Sequence, residues 1–455
     1  MRILLIQPPK SPRTIGGEDV FIYEPLALEY LASGVTHDHD VKILDLRFEN
    51  SFQSTLVEFN PDVVGITAYT VHVNVVKMLF EKVKTWNAET LTVVGGHHAT
   101  VSPEDFHSPF IDVTVMGEGV FVFKEIVRRF EKGESLEDIP GTVVARGSTV
   151  YRINCSLDVD LDLFPFPNRN LTDKYRTHYY SEWMKPLASI RTSKGCPYRC
   201  NFCAEWKVAG GRYYKRGPQR IVEELAEISE PYVFFADDES LIDATRMTLL
   251  AQLIKQAGIR KRYFLYARSD TIAHHRQLLE LWRQIGLERI FVGLEFVQDE
   301  DLRYIRKNST VEDNAEAIRI LRDLDIQLYA SFIVRPTFSR SDFAAYRDYC
   351  QRMKLNYATF AVLTPLPGTD LYEETYDRLL THNYDYFDFI HTLLPTTLPL
   401  EEFYAELRHL YQRAVPMSRQ LSLLKKFPLG EIPKVLNTGR RFYERLKTAH
   451  LDYAQ

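Results

Sequence analysis

Lys194-Gly195-Cys196-Pro197-Tyr198-Arg199-Cys200-Asn201-Phe202-Cys203 gathers three of the chain's five cysteines into one short run. Thiolates this close can ligate one metal centre together. A [4Fe–4S] cluster normally takes four cysteine ligands, so three leave one iron without a protein ligand. An open iron can bind a substrate or cofactor, which points toward catalysis and away from simple electron transfer. Zinc sites usually take four Cys/His ligands in paired spacings, and no second C-x2-C or HxxxH pair follows here. Cys155 and Cys350 stand alone, and no secretory signal accompanies them, so disulfides are not expected. Cys196, Cys200 and Cys203 are therefore read as ligands of a [4Fe–4S] cluster.

Around this run lies an ordinary globular chain. Its 455 residues fit two or three domains. Hydrophobic residues make up 45% and charged residues 26%, the balance of a soluble protein. A net charge of −5 gives no support for broad nucleic-acid binding. The apolar start, Ile3 to Ile6, is too short for a signal peptide and reads as a buried strand. No apolar run approaches membrane-spanning length. A cytoplasmic location is expected, which suits an oxygen-sensitive cluster. The 27 Phe and 26 Tyr supply core, with some left to line an apolar substrate pocket.

Downstream of the cysteines, short strands alternate with helices. Ser189–Thr192 would feed the cysteine loop, followed by strands at Tyr232–Ala236, Tyr263–Ala267, Ile290–Glu295, Leu328–Val334 and Tyr357–Leu363. Helices are expected near Pro218–Ile228, Arg246–Ala257 and Asn314–Leu324. Charged residues sit at the strand ends: Asp237, Asp238 and Glu239 after one, Arg268 and Asp270 after another, Glu295 after a third. Each alone is as readily a solvated charge or a cap. Upstream, strands at Ile3–Ile6, Val41–Leu44, Val63–Thr67 and Leu91–Val94 alternate with helices near Leu26–Ser33, Val71–Lys84 and Phe121–Glu131. That is the pattern of a doubly wound parallel sheet, which binds ligands beyond the carboxyl ends of its strands. Thr67-Ala68-Tyr69-Thr70, Gly95-Gly96-His97-His98-Ala99-Thr100 and Gly117-Glu118-Gly119 lie at such ends. Paired glycines there let backbone approach a bulky ligand closely. Asp158 to Asn170 reads as a linker, because its prolines and aspartates break both periodicities.

The cysteine spacing resembles that of the radical S-adenosylmethionine (SAM) superfamily, and the six βα units resemble its partial barrel. The resemblance implies that three cysteines hold the cluster while SAM chelates the fourth iron. It further implies that Asp237 and Asp238 serve the SAM amino group or ribose hydroxyls, Arg268 its carboxylate, and that Glu295 matches the glutamate of a Gly-x-Glu run. The upstream sheet resembles the cobalamin-binding domain of cobalamin-dependent members, whose run usually reads Gly-Gly-Pro-His-Ala-Thr; here His97 replaces the proline. By that likeness Thr67, Thr70, Gly95 and Gly96 hold the nucleotide tail and corrin edge of cobalamin, with His98 among the cofactor-binding residues. Asp45-Leu46-Arg47 keeps the aspartate of the Asp-x-His-x-x-Gly motif but lacks its histidine, which excludes cobalt ligation through that loop. His72 and His98 are rival ligands, although a lone histidine is more often a polar wall residue. Arg335-Pro336 departs from the Gly-x-Pro-Gly that relatives often carry, which puts substrate or SAM contacts there in doubt.

The architecture implied is α/β: a cobalamin-binding domain over 1–150, a linker over 151–182, a (β/α)6 barrel over 183–375 and a helical region over 376–455. The implied activity is C-methylation of an unactivated carbon, using a 5′-deoxyadenosyl radical and methylcobalamin, with electrons from a flavodoxin or ferredoxin. The aromatic run Phe387–Leu394, the Arg335-Pro336 strand end and the short helical tail most resemble the hopanoid C-3 methylases, which implies a large apolar substrate. Bacteriochlorophyll methylases and tetrapyrrole cyclases are the nearest alternatives. A cobalamin-binding regulator would not need the cysteine loop. Lys425, Lys426, Lys434, Arg440, Arg441, Arg445 and Lys447 lie among Phe427, Phe442 and Tyr443 in the tail. Such a segment can lie on an anionic membrane; a solvated helix capping the barrel is the plainer reading.

Overall fold

The computed structural model describes residues 1–16, 21–146, 149–155 and 159–453; Asp158, first residue of the linker read from the sequence, lies outside them. The apolar runs of the first part form β1 (Arg2–Gln7), β2 (Asp40–Asp45), β3 (Val63–Thr67), β4 (Leu91–Gly95) and β5 (Val113–Val115). They pair in parallel in the order β2-β1-β3-β4-β5. Side chains alternate between faces along a strand, and the core divides accordingly. Ile3, Leu5, Val63 and Val93 pack with α1 (Leu26–Ser33) and the helix Gly119–Lys132 on one face. Leu4, Ile6, Val64 and Val94 pack with the helix Val73–Trp86 on the other. Burial on both faces is why these strands read as continuous apolar runs.

The sheet does not end there. β6 (Thr142–Arg146) and β7 (Thr149–Ile153) add an antiparallel hairpin to its edge, so it runs beyond residue 150. Every residue of β7 is exposed, so the strand carries no alternating apolar signal to read.

The second part forms β8 (Leu187–Ile190), β9 (Tyr232–Phe235), β10 (Arg262–Arg268), β11 (Leu287–Glu295), β12 (Gln327–Val334) and β13 (Ala358–Val362). These pair in parallel in chain order, and the first and last do not meet. The result is a partial barrel with one open side. β8 ends earlier than the sequence pattern predicts. The N–H groups of Thr192 and Ser193 donate to the Asp237 carboxylate, at 2.7 and 2.8 Å, and so leave the ladder.

Between the two parts, the 3-10 helix Arg169–His178 works as a charged staple. Arg169 pairs with Glu224 of the barrel at 2.7 Å, and Arg176 pairs with Glu24 of the first part and with Glu230 of the barrel. The tail forms three helices: α2 (Leu400–Arg413), α3 (Met417–Leu424) and α4 (Ile432–Thr448). Tyr411 of α2 bonds the backbone of Phe360 in β13, and the tail closes the open side of the barrel. Phe387–Leu394 is irregular rather than helical.

Candidate active site

The carboxyl-terminal edges of the two sheets face each other across a cleft of about 300 Å³, or about 1240 Å³ with its mouth included. One wall carries Thr67, Gly95, Gly96, Gly117 and Glu118; the other carries Arg191, Lys194, Glu205 and Asp238. Gly96 has φ +101°, and a Cβ there would sit 2.7 Å from Thr67 Oγ1 and 2.8 Å from the Ala68 nitrogen. Only glycine fits such a cradle without strain. Glu118 clasps the walls together, pairing with Arg191 at 3.1 Å and with Lys194. Burial alone would push the Glu118 carboxyl up, but the two cations outweigh it and hold it at about 2.

Of the histidines, it is His97 that faces the cleft, pairing with Glu205 at 3.2 Å. The sequence had singled out its neighbour. His98 is fully buried, with one ring nitrogen 3.1 Å from Thr70 Oγ1 and the other 3.0 Å from Asp105. Thr70 and His98 thus spend their side chains on each other and do not line the cleft. His72 is buried and bonds the Tyr69 N–H at 3.3 Å. Burial, then Arg47, pushes its imidazole down to about 4. Asp45 is bound by Arg47 at 2.6 Å, which neutralises the aspartate of the incomplete motif.

The cysteine loop leaves β8 through Gly195, whose φ is +85°; a Cβ there would meet the Arg212 carbonyl at 2.2 Å. Asp238 accepts the Gly195 N–H at 2.5 Å. Burial and then Glu205 raise its carboxyl to about 7. Asp237, fully engaged with Thr192 and Ser193, holds the loop rather than facing the cleft. Burial raises the Cys196 thiol to about 11 and lifts Cys203 well above its usual value. Thiols in that state become ligands when a cation takes the proton's place. A cluster spreads its ligands over separate irons, and the three thiols carried on one short stretch, Cys196, Cys200 and Cys203, fit as its donor set.

Arg268 is less free than its position predicts. It pairs with Asp270 at 2.9 Å, donates to the Lys307 carbonyl and lies 3.5 Å over the Tyr198 ring of the cysteine loop. Glu295 has φ +59° and accepts from Lys307 at 2.7 Å. Glu239 has the open valence here. It is buried, its Oε2 has no partner, and burial raises its carboxyl to about 8. Its position directly after Asp238 was the available signal. Arg335 turns away to Asp301 at 2.6 Å and lines neither cavity.

A second cavity of about 700 Å³ fills the barrel. Phe202 of the cysteine loop and Glu295 line one end, so the cavity adjoins the cluster ligands. Phe291, Ile333 and Phe360 come from the strands, Phe389 and Ile390 from the irregular aromatic run, and Leu424, Phe427 and Phe442 from the tail.

Two family models match the chain: the B12 binding domain over residues 12–127 and the radical SAM superfamily over 190–350. The hopanoid C-3 methylase of Methylococcus capsulatus is 33% identical over 392 residues, covering 84% of this chain and 75% of that protein. The fold matches the radical SAM methyltransferase TsrM of Kitasatospora setae, solved with cobalamin and a [4Fe–4S] cluster, at a TM-score of 0.65 and 20% identity, over 83% of this chain and 74% of that one. It also matches the cobalamin-dependent SAM radical enzyme OxsB, solved with aqua-cobalamin and SAM, at a TM-score of 0.76 and 16% identity, over 99% of this chain and 72% of that one. A cleft between facing sheet edges, a three-cysteine loop at its wall and an adjoining barrel cavity agree with these matches, and the chain belongs to the cobalamin-dependent radical SAM methyltransferases.

Proposed function

We propose that the chain methylates an unactivated carbon of a large apolar lipid of the hopanoid class. The carrying observation is the aromatic barrel cavity, which adjoins the cysteine loop. The M. capsulatus relative supports it. When bound, the cluster with SAM supplies a hydrogen-abstracting radical and cobalamin carries the methyl group. The chain's own part is to position and to exclude water. Cys196, Cys200 and Cys203 would hold the cluster. Glu239 would take the SAM amino group on its unpartnered oxygen, with Glu295 and Lys307 at the neighbouring strand end. Arg268 would act through Tyr198 and Asp270, holding the cysteine loop in place. Thr67, Gly95 and Gly96 would receive the corrin and its tail, while Thr70 and His98 would support that wall from behind.

Methyl-labelled SAM and hopanoid extract test the reading. Labelled lipid, with S-adenosylhomocysteine and 5′-deoxyadenosine formed in equal amounts, is expected. Accumulation of 5′-deoxyadenosine without labelled product would point to a cyclase, and a labelled chlorin would move the substrate alone. No cobalt ligation by His72 or His98 is expected. In the electron paramagnetic resonance spectrum of the Co(II) form, nitrogen splitting that vanishes on replacing either one would contradict this.

No helix among the described residues is long and apolar enough to cross a membrane. We nevertheless place the protein at the membrane periphery. α3, α4 and the segment between them cover the cavity with Leu424, Phe442 and Phe427, while Leu421, Leu429 and Leu436 are exposed in a stretch that also carries Lys425, Lys426 and Lys434. Flotation with anionic vesicles is expected, and loss of flotation on changing the three exposed leucines to serine. A flavodoxin or ferredoxin is proposed as electron donor; Arg199, exposed on the cysteine loop, suits an acidic partner.

A further inference from the structure

The barrel cavity is largely apolar, and of the described carboxylates that line it Glu295, Asp388 and Glu431 accept hydrogen bonds from Lys307, the Ile15 N–H and Lys185. Glu182 lines it, is only 7% exposed, and has neither carboxylate oxygen hydrogen-bonded within the protein. Its Oε2 lies 2.8 Å from Arg289 Nη2, an ion pair without hydrogen-bond alignment. Glu182 also holds φ +54°, in the left-handed region that non-glycine residues seldom adopt. An acceptor buried without a donor costs the full desolvation of that group, and strained backbone of this kind clusters at ligand sites.

Arg289 sets the charge balance there. Its guanidinium is 1% exposed and packed by rings, 4.4 Å from the Tyr329 centroid, 4.9 Å from Trp183 and 5.0 Å from Phe264. The pair is therefore close to neutral as a unit, and Lys434 lines the same cavity. A second cation would meet Arg289 and Lys434; a neutral hydroxyl would meet an open carboxylate oxygen, with Tyr329 and Tyr357 on the same wall.

Position sets the geometry of the ligand. Arg289 and Glu295 lie six residues apart on β11, or about 20 Å at the rise of an extended strand. Glu295 and Phe202 mark the end next to the cluster ligands. We infer that Glu182 is a hydroxyl-binding subsite at the far end of the barrel cavity, and that the substrate is an elongated apolar molecule whose alcohol end lies remote from the carbon that reacts. This rests on the barrel cavity being the substrate site.

Equilibrium binding of tritiated probes to the cluster- and cobalamin-loaded protein tests it, with two matched pairs: a pentacyclic triterpene hydrocarbon and its alcohol, and a long-chain alkane and the corresponding primary alcohol. The alcohols should bind about tenfold more tightly than the hydrocarbons, the scale of a hydrogen bond to a charged group. Glu182→Gln should cut that preference several-fold. The double variant Glu182→Leu with Arg289→Leu should abolish it while keeping hydrocarbon binding, since removing both partners strands no charge. Should the double variant fail to load iron, Glu182→Gln decides alone. An absent preference in the parent protein, or one that survives the substitutions, overturns the subsite. If the pentacyclic pair does not bind and the linear alcohol keeps its Glu182-dependent preference, the hopanoid reading falls and the subsite stands.

Discussion

The cleft between the sheets and the cavity inside the barrel lie side by side, yet they dispose charge differently. Among apolar residues such as Ile66, Val115 and Phe123, the cleft carries glycines and charges that neutralise one another across it: Glu118 with Arg191 and Lys194, His97 with Glu205. The barrel cavity is walled mainly by rings and branched chains, with the Glu182–Arg289 pair at its far end. Charge clasps suit a large polar cofactor whose binding brings two domains together. An aromatic lining suits an apolar substrate that must be kept from water beside a radical. The cysteine loop contributes to both, through Lys194 on one side and Phe202 on the other.

The strongest way to break this division is at the loop itself. Replacing Cys196, Cys200 and Cys203 together with alanine should abolish visible iron–sulfur absorption and all methyl transfer, while corrin still binds the first sheet. Full iron and sulfide content in that variant would sink the assignment. Glu118→Gln comes next in size. It leaves Arg191 and Lys194 facing each other without a counter-charge, and hydrogen bonds to charged groups are worth about 1.5–3 kcal/mol. Cobalamin affinity should drop by about tenfold or more, measured by titration at fixed salt, with alkane binding in the barrel unchanged; an equal loss in both would show that the two regions are not separable.

Phe427→Ala sharpens the comparison from the other side. Phe427 packs edge-on to Trp183 at 6.0 Å and lines the cavity. Its loss should raise KM for the lipid several-fold with kcat nearly held, the pattern of lost uniform binding, and should leave cobalamin titration alone. The smallest effect belongs to the seam that joins the parts. Glu29 is fully buried, and burial, then Glu24, raises its carboxyl to about 8. A raised value in the fold means the neutral form is favoured there. Its contribution is complete below the ordinary carboxylate range and is lost as pH rises through about 8. The unfolding midpoint should fall as pH rises from about 5 to about 8 and level off above that, and Glu29→Gln should flatten that slope; an unchanged slope in the variant would remove Glu29 from the seam.

The sequence was most legible where local chemistry is stereotyped. The cysteine spacing needs no tertiary context, because loop length alone decides that three thiolates can share a centre. The parallel strands were legible because burial on both faces writes continuous apolar runs. The hairpin of β6 and β7 was not, because an exposed edge strand has no such pattern. The choice between His97 and His98 was also out of reach: adjacent residues at a helix start point in different directions, and only packing sends one to the cleft and the other to Thr70 and Asp105. Arg268 read as a free cation until Asp270 and Tyr198 were seen to occupy it.

The sequence by itself thus determined the cluster loop, the two-sheet order and the absence of a histidine beside Asp45. The tertiary structure alone decided which charges pair and which remain open. Glu182 lies in a connecting segment with no motif around it. Its significance comes from residues more than a hundred positions away, since Arg289 and Tyr329 reach it only when the barrel folds. Spacing along the chain encodes ligands that act within one loop; it cannot encode a cavity whose walls are contributed by β11, β12, β13 and the tail.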